Sequence, residues 1–316
     1  MKEKDLLLNR VLTDETFLWD KSVPHLERVL AFKRWLYAWQ RYNLPRLRDM
    51  SFHVSRYAGD VTLVIYSFGG DNDDFDFHEF SILHTWRILG KLAVSIVTDK
   101  PTDRIVEFKS RYSDLVSIKV TDGLISSSND SISAINSMSA DCMANLYKYF
   151  MTRYCLIIQD DGFPIQDNLY KFLGKWDYIG APNVQDSFRQ YVADFFLKDG
   201  LNGGFCLRSW KYCRAVARNW NIWGKRYAKL RGFTSEDYLY VCMSRLNPWL
   251  RFRYRVPWAP IARHFSFYDL LGAFDVKCLK VKPFGIHGQS TIWQFRQMMR
   301  EFGYDLDAPF VAIRHA

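Results

Sequence analysis

No CxxC pair occurs anywhere in this chain, and its six cysteines, at 142, 155, 206, 213, 242 and 278, are scattered, several of them within apolar runs. That spacing speaks against a zinc site or a disulfide frame and for reduced, buried thiols in a cytosolic compartment. The N-terminus has no signal-peptide-like hydrophobic region, and no stretch reaches the uncharged apolar length that a spanning helix needs. The expectation is a soluble chain, or one that binds a membrane from outside. Zinc-finger spacing and RNP-like patterns are also missing, so nucleic acid is not an expected partner. Internal repeats and low-complexity linkers are absent as well.

What is present is an ordinary globular balance over 316 residues, 48% hydrophobic and 24% charged, with aromatics at 17%. That length suits one large α/β domain with additions, or two domains. The formal charge of +9 suits an anionic partner such as phosphate, nucleic acid or a lipid surface, and names none of them. Residues 1–56 differ from the rest and are set apart as a basic, aromatic helical extension to a domain spanning 57–316. Within 28–48 six residues are Arg or Lys and none is acidic. Val29, Phe32, Leu36 and Trp39 recur at helical spacing. Such a helix either packs on the main domain with a solvated basic face, or lies at a membrane surface with Trp and Tyr at headgroup level and Arg on anionic lipid.

From residue 60 the pattern alternates. Strands are expected at 61–68, 92–99, 115–122 and 154–158. Helices are expected at 78–90, 101–112 and 131–153. This succession implies an α/β fold with a mostly parallel sheet and helices on both faces. Ligands bind such sheets at the carboxyl ends of the strands, where Ser67, Asp99, Asp160 and Asp161 fall. The second half is more mixed. It reads as a helix and short strand in 169–182, a Gly-Gly turn entering a strand in 201–209, and a helix at 210–220. A helix at 234–246 opens with acids in its first turn. His287 follows in a Gly-flanked turn before a final helix. Five arginines, Arg245, Arg251, Arg253, Arg255 and Arg263, occupy a segment with no acid between Asp237 and Asp269. They read as a solvated basic face or as a means of neutralising a diphosphate or charged acceptor.

The stretch "YCLIIQDDGFPI" drives an apolar strand into paired carboxylates. Charge at a strand end is costly to bury without a partner. Asp160 and Asp161 are therefore solvated turn residues, a general acid/base pair, or ligands of a divalent cation.

The ordered set "IIQDDG", "WDYIGAP", "LNGGFCLRS", "SED" and "FGIHG" resembles the GT-A class of nucleotide-sugar glycosyltransferases. More narrowly, it resembles a mostly uncharacterised bacterial glycosyltransferase-like family. The resemblance spans roughly residues 60–290 and leaves the first 56 outside. It implies a GT-A fold, Rossmann-like, carrying an N-terminal helical extension. "QDD" takes the place of the DxD motif. Asp161 is then the ligand of a Mn²⁺ or Mg²⁺ that bridges the donor diphosphate, and Asp160 touches the ribose or the metal. Gln159 stands where many relatives have Asp, which weakens the metal site. His287 matches the late histidine that completes it; otherwise it is a turn histidine bonded to backbone. Asp237 of "SED" matches the catalytic base of inverting members, with Glu236 as support or alternative base; otherwise both are helix-capping acids. Asn202, Gly203 and Gly204 form a loop where backbone approaches the donor or acceptor, or a tight turn. Ser67 and Asp99 lie where the nucleoside is held.

The resemblance thus implies an inverting transfer from a nucleotide-diphosphate sugar, a UDP-sugar by expectation, to a saccharide or lipid-linked saccharide, as in bacterial surface polysaccharide synthesis. It places the protein in the cytoplasm at the inner membrane face. A GT-A-like sugar- or nucleotide-binding domain without catalysis, and a metal-dependent phosphoesterase using Asp160 and Asp161, are the alternatives.

Overall fold

The computed structural model describes residues 25–68, 75–121, 131–182, 201–226, 236–268, 282–288 and 296–304. In chain order these form α1 (His25–Arg48), β1 (Val61–Tyr66), α2 (Phe75–Leu89), β2 (Ala93–Thr98), α3 (Asp103–Arg111), β3 (Val116–Val120), α4 (Ser131–Asn145) and β4 (Tyr154–Ile157). There follow β5 (Gly162–Pro164), β6 (Tyr178–Pro182), β7 (Leu201–Ser209), α5 (Trp210–Asn219), α6 (Glu236–Leu246), α7 (Pro248–Arg253), α8 (Ala259–Ala262), β8 (Ser266–Tyr268), β9 (Gly285–His287) and α9 (Arg296–Glu301).

The main sheet has the order β3-β2-β1-β4-β7-β6. Parallel pairing joins β1 to β2 and β4, and β2 to β3, while β7 runs against both β4 and β6. The architecture is thus α/β with a mostly parallel sheet, as expected. Central strands of such a sheet are covered on both faces and read as continuous apolar runs. Val61, Leu63, Val64 and Ile65 of β1, and all four residues of β4, are buried accordingly. A small second sheet, β5-β9-β8, sits beyond the end of β4. The chain passes from one sheet to the other through Gln159, Asp160 and Asp161.

Tertiary pairing overrides the local signal at several points. The helix expected to reach residue 153 ends at Asn145 and gives way to a 3₁₀ turn, Leu146–Lys148. The helix expected after residue 169 is a single 3₁₀ turn, Leu169–Lys171; Asn168 makes no side-chain cap to start anything longer. Gly203 and Gly204 are not a turn: they lie inside β7, at the irregularity where its pairing with β6 jumps from Cys206 to Asn202. His287 is likewise in a strand, since β9 is held between β5 and β8. The helix expected to close at Gly90 does so. That glycine adopts φ +80 at the end of α2, and a Cβ there would meet Ser55 Cα at 2.7 Å.

Helix α1 packs into the common core. Phe32, Trp35, Leu36, Trp39, Leu44 and Leu47 are all buried, and Trp39 meets Phe80 edge-on at 5.0 Å. Burying each such side chain contributes about 1.5–3 kcal/mol. The Trp rings that a membrane-lying helix would place at headgroup level are therefore core residues. Its basic end is engaged as well. Arg48 donates to both oxygens of buried Glu79 at 2.8 and 2.6 Å, tying α1 to α2. Among the described residues no helix is long and apolar enough to cross a membrane.

His84 of α2 pins this packing. The Pro164 carbonyl can only accept, so His84 Nε2–H donates to it at 3.0 Å, and Nδ1 accepts from the Tyr304 hydroxyl at 2.6 Å. Burial lowers the imidazole pKa to about 3 despite the Pro164 bond. Below pH 6.5 the unfolded chain takes up a proton that the folded chain refuses. Stability is therefore fully present above that pH and falls as pH drops toward 3, by about 1.4 kcal/mol per pH unit. Urea denaturation between pH 6.5 and 5 should show this slope in the wild type and its loss in His84→Gln, which keeps a donor for Pro164. An unchanged slope in the variant would contradict the assignment.

Candidate active site

Past Ile157 the β4 chain leaves the sheet carrying buried Ile158, then turns at Asp160 and Asp161 into β5. The two carboxylates part company there. Asp160 Oδ2 accepts from the Tyr37 hydroxyl at 2.5 Å, and its backbone carbonyl accepts from Gln40 Nε2 and from Ser81 Oγ. Tyr37 is fixed by stacking on Phe77, ring centroids 3.8 Å apart. Asp161 turns instead to His287: Nε2 stands 3.1 Å from Oδ1, with both residues nearly buried. Burial alone would push the Asp161 carboxyl up. The His287 charge and hydrogen bond, with Lys33 beyond, outweigh it and hold the pKa below the usual carboxylate value. The same Nε2 lies 3.1 Å from Gln159 Oε1.

Strand β7 brings the second half of the site to this turn. A Cβ on Gly204 would lie 2.2 Å from His287 Nε2 and 2.3 Å from Gln159 Oε1. A Cβ on Gly203 would lie 2.6 Å from Glu236 Oε1, 2.8 Å from Arg208 Nη2 and 3.1 Å from Asp237 Cβ. The two Cβ positions face different neighbours within an irregular stretch of β7. The two glycines thus stand back to back, and only bare backbone separates the histidine cluster from the α6 acids. From these contacts and ordinary chain dimensions, Glu236 Oε1 and His287 Nε2 are no more than about 12 Å apart.

At the start of α6 both Glu236 oxygens are engaged: Oε2 accepts from Ser139 Oγ at 2.9 Å, and Oε1 faces Arg208 Nη2 at 3.6 Å. Asp237 accepts from the Tyr238 amide at 2.6 Å and is half-buried. Arg208 is fully buried. Its Nε and Nη1 donate to the thiols of Cys206 and Cys142, each at 3.1 Å, and its guanidinium lies 4.2 Å from the Tyr240 ring centroid. Arginine stays charged in proteins. Glu236 is thus the acid that compensates a charge held in an apolar cage of thiols and rings.

Of the remaining expected site residues, Ser67 and Asp99 end neighbouring strands β1 and β2 at the same sheet edge as Gln159. The Ser67 amide bonds to the Val97 carbonyl. Asn202 does not present its carbonyl oxygen outward: Oδ1 accepts from the Gly204 amide at 2.8 Å, stiffening the glycine pair. Arg208, Tyr37 and Gln40 escaped the sequence reading. A charged residue in the apolar run "GFCLRS" is itself a signal, because a buried charge needs a reason. Lys33, Tyr37 and Gln40, at i, i+4 and i+7, are polar residues on one helix face.

Among the described residues no group of three or more His, Cys, Asp or Glu side chains gathers as a metal site. Asp160 is drawn off by Tyr37, which explains why the expected triad with Asp161 and His287 does not form. The pair that remains still suits a divalent ion. Two ligands at right angles on an octahedral ion, each about 2.1 Å from it, stand about 3 Å apart. The Asp161–His287 separation of 3.1 Å matches that edge. Facing two acceptors, Asp161 Oδ1 and Gln159 Oε1, His287 Nε2 carries the proton as the structure stands, and a bound ion would take that proton's place. Asp161, His287 and the neutral oxygen of Gln159 are the residues that would hold the ion.

Residues 124–287 match the family model described as Protein of unknown function (DUF5672). No curated protein matches the chain. Among solved structures it is similar to the galactosyltransferase LgtC in complex with donor and acceptor sugar analogs, at 11% identity and a TM-score of 0.48, covering 72% of this chain and 86% of that one. It is similar also to the mannosyltransferase Ktr4p from S. cerevisiae, at 12% identity, a TM-score of 0.41 and coverage of 75% and 77%. A third is the mannosyltransferase PcManGT from Pyrobaculum calidifontis in complex with GDP-Man and Mn²⁺, at 13% identity, a TM-score of 0.32 and coverage of 60% and 57%. At such scores no residue role passes from those proteins to this chain.

Two substitutions probe the arrangement. Gly204→Ala should lower stability by about 1–3 kcal/mol, because the methyl group overlaps His287 and Gln159. An unchanged denaturation midpoint would show that the two side chains do not close on β7. Glu236→Ala should cost about 3–5 kcal/mol by leaving Arg208 buried and unpaired, and adding Arg208→Met should recover part of that loss. Additive effects in the double variant would deny the coupling.

Proposed function

The chain belongs to the family described as Protein of unknown function (DUF5672), and we propose that this member is an inverting glycosyltransferase of GT-A type. Its donor is a nucleotide-diphosphate sugar, a UDP-sugar in the first instance. Its acceptor is a saccharide or lipid-linked saccharide, and its place of work is the cytoplasmic side of the membrane. The observation that carries this reading is the glycine pair of β7, with the Asp161–His287 pair on one side and the Glu236–Asp237 pair on the other. A sugar diphosphate spans a length of the same order as the separation of those groups.

The roles follow from where each side chain stands and from the contacts of Glu236. Asp237 is the base. Both Glu236 oxygens are occupied by Ser139 and Arg208, so Glu236 supports the helix start rather than exchanging protons. In the single displacement the acceptor hydroxyl oxygen attacks the anomeric carbon. Its proton passes to the Asp237 carboxylate, and the bond to the diphosphate breaks with its electron pair on the leaving group. Gly203 and Gly204 let the two acidic clusters close on β7, next to the donor, and Ser67 and Asp99 face the nucleoside at the ends of β1 and β2. A Mn²⁺ or Mg²⁺ at Asp161 and His287 would supply positive charge to the departing diphosphate. Lys33, whose charge already reaches Asp161, adds to the same positive field.

A second reading, a sugar- or nucleotide-binding domain without catalysis, is favoured by one observation: Asp160 is committed to Tyr37 and Gln159 is neutral, which leaves the ion few charged ligands. The phosphoesterase reading needs both carboxylates on one ion, and that same Tyr37 bond works against it.

Incubation with a panel of nucleotide sugars, with and without Mn²⁺, separates these readings. The expected result is release of nucleoside diphosphate with transfer to an acceptor of inverted anomeric configuration, reduced roughly 100- to 10,000-fold in Asp237→Asn. Donor binding without turnover would support the binding domain, and release of nucleoside monophosphate would support the phosphoesterase.

A further inference from the structure

The arginine-rich segment after α6 is not evenly solvated. Asn247 caps α7, accepting from the amides of Trp249 and Leu250, and within that helix Leu250 is buried as its anchor. That anchoring turns Trp249 and Phe252, three residues apart and so on one helix face, out of the protein. They are 85% and 88% exposed. Trp258 and Ile261, at and within the start of α8, are 54% and 42% exposed. Large rings are ordinarily buried, and several exposed together on one short segment mark an interaction surface. The charge around them has one sign. Arg251, Arg253 and Arg255 are exposed, the Arg245 guanidinium lies 4.3 Å from the Trp258 ring centroid, and no Asp or Glu occurs from Tyr238 to Tyr268.

We propose that the face formed by α7 and the start of α8 binds an anionic lipid surface, with Trp249 and Phe252 entering the headgroup layer and Arg251 and Arg253 on the lipid phosphates. The pairing of ring and arginine carries the choice of partner. Trp and Phe are favoured at the boundary between headgroup and acyl chain, and arginine is favoured beside anionic headgroups. Helix α1, whose sequence had the same composition, is not that surface, because its tryptophans are in the core. The surface does not depend on the transfer chemistry. Its position does bear on it: Asp237 lies near the start of α6, about 14 Å along the helix from Leu246, where the chain passes into α7.

Co-sedimentation of the full chain with vesicles tests this. The chain should pellet with vesicles rich in phosphatidylglycerol, fail to pellet with pure phosphatidylcholine, and be released by high salt. Arg251→Glu with Arg253→Glu should weaken binding about fivefold or more per arginine. Trp249→Ala with Phe252→Ala should weaken it about tenfold while leaving the thermal melt unchanged, since both rings are already in water. Arg34→Glu, exposed on α1, should leave binding as it was. Failure to pellet with anionic vesicles, equal binding by both double variants and the wild type, or binding to single-stranded RNA or an acidic polypeptide without vesicle binding would overturn the proposal.

Discussion

The whole candidate site depends on a missing atom, the Cβ that Gly203 and Gly204 do not carry. Strand β7 runs against β4 and β6 and must pass between the turn after β4 and the start of α6. A side chain at either position would overlap His287 and Gln159 on one face, or Glu236 and Arg208 on the other. With glycine there, groups from three distant parts of the sequence and Arg208 of β7 itself close around a strand only a backbone thick. Close packing makes such an arrangement all-or-none, because a well-packed interior has little room to yield by an ångström or more.

Around that strand, charge is sorted rather than pooled. Adjacent Asp160 and Asp161 face different partners, Tyr37 of α1 and His287 of β9. Glu236 and Asp237 are divided in the same way: one is tied to a buried arginine and a serine, while the other caps its own neighbour's amide. Helix α1 takes part in this sorting. Trp35 and Trp39 dock it on the core, and Tyr37 and Gln40 on the same helix hold the turn of Asp160.

The alternating first half was legible because fully buried parallel strands leave continuous apolar runs, as in Val61–Tyr66 and Tyr154–Ile157. The second half was not, for physical reasons. The Gly-Gly pair reads as a turn because the strand it lies in is irregular there, its pairing with β6 jumping from Cys206 to Asn202, and His287 between two glycines reads the same way until β5 and β8 are in place. Arg208 was hidden because its compensation comes from Glu236, Cys142 and Tyr240, each at least 28 residues away in sequence. The basic aromatic helix and the basic aromatic segment near residue 250 are alike in composition. Only burial tells them apart, and burial is set by Leu250 in the one case and by Trp35 and Trp39 in the other.

The most direct measurement is a crystal structure of the protein soaked with UDP and Mn²⁺, with the ion located by its anomalous signal. The expected result places the ion on Asp161 Oδ1 and His287 Nε2, the diphosphate on the ion, and the Asp237 carboxylate facing the space where the sugar would extend. A diphosphate bound away from β7, or an ion held by Asp160 without Asp161 and His287, would contradict it.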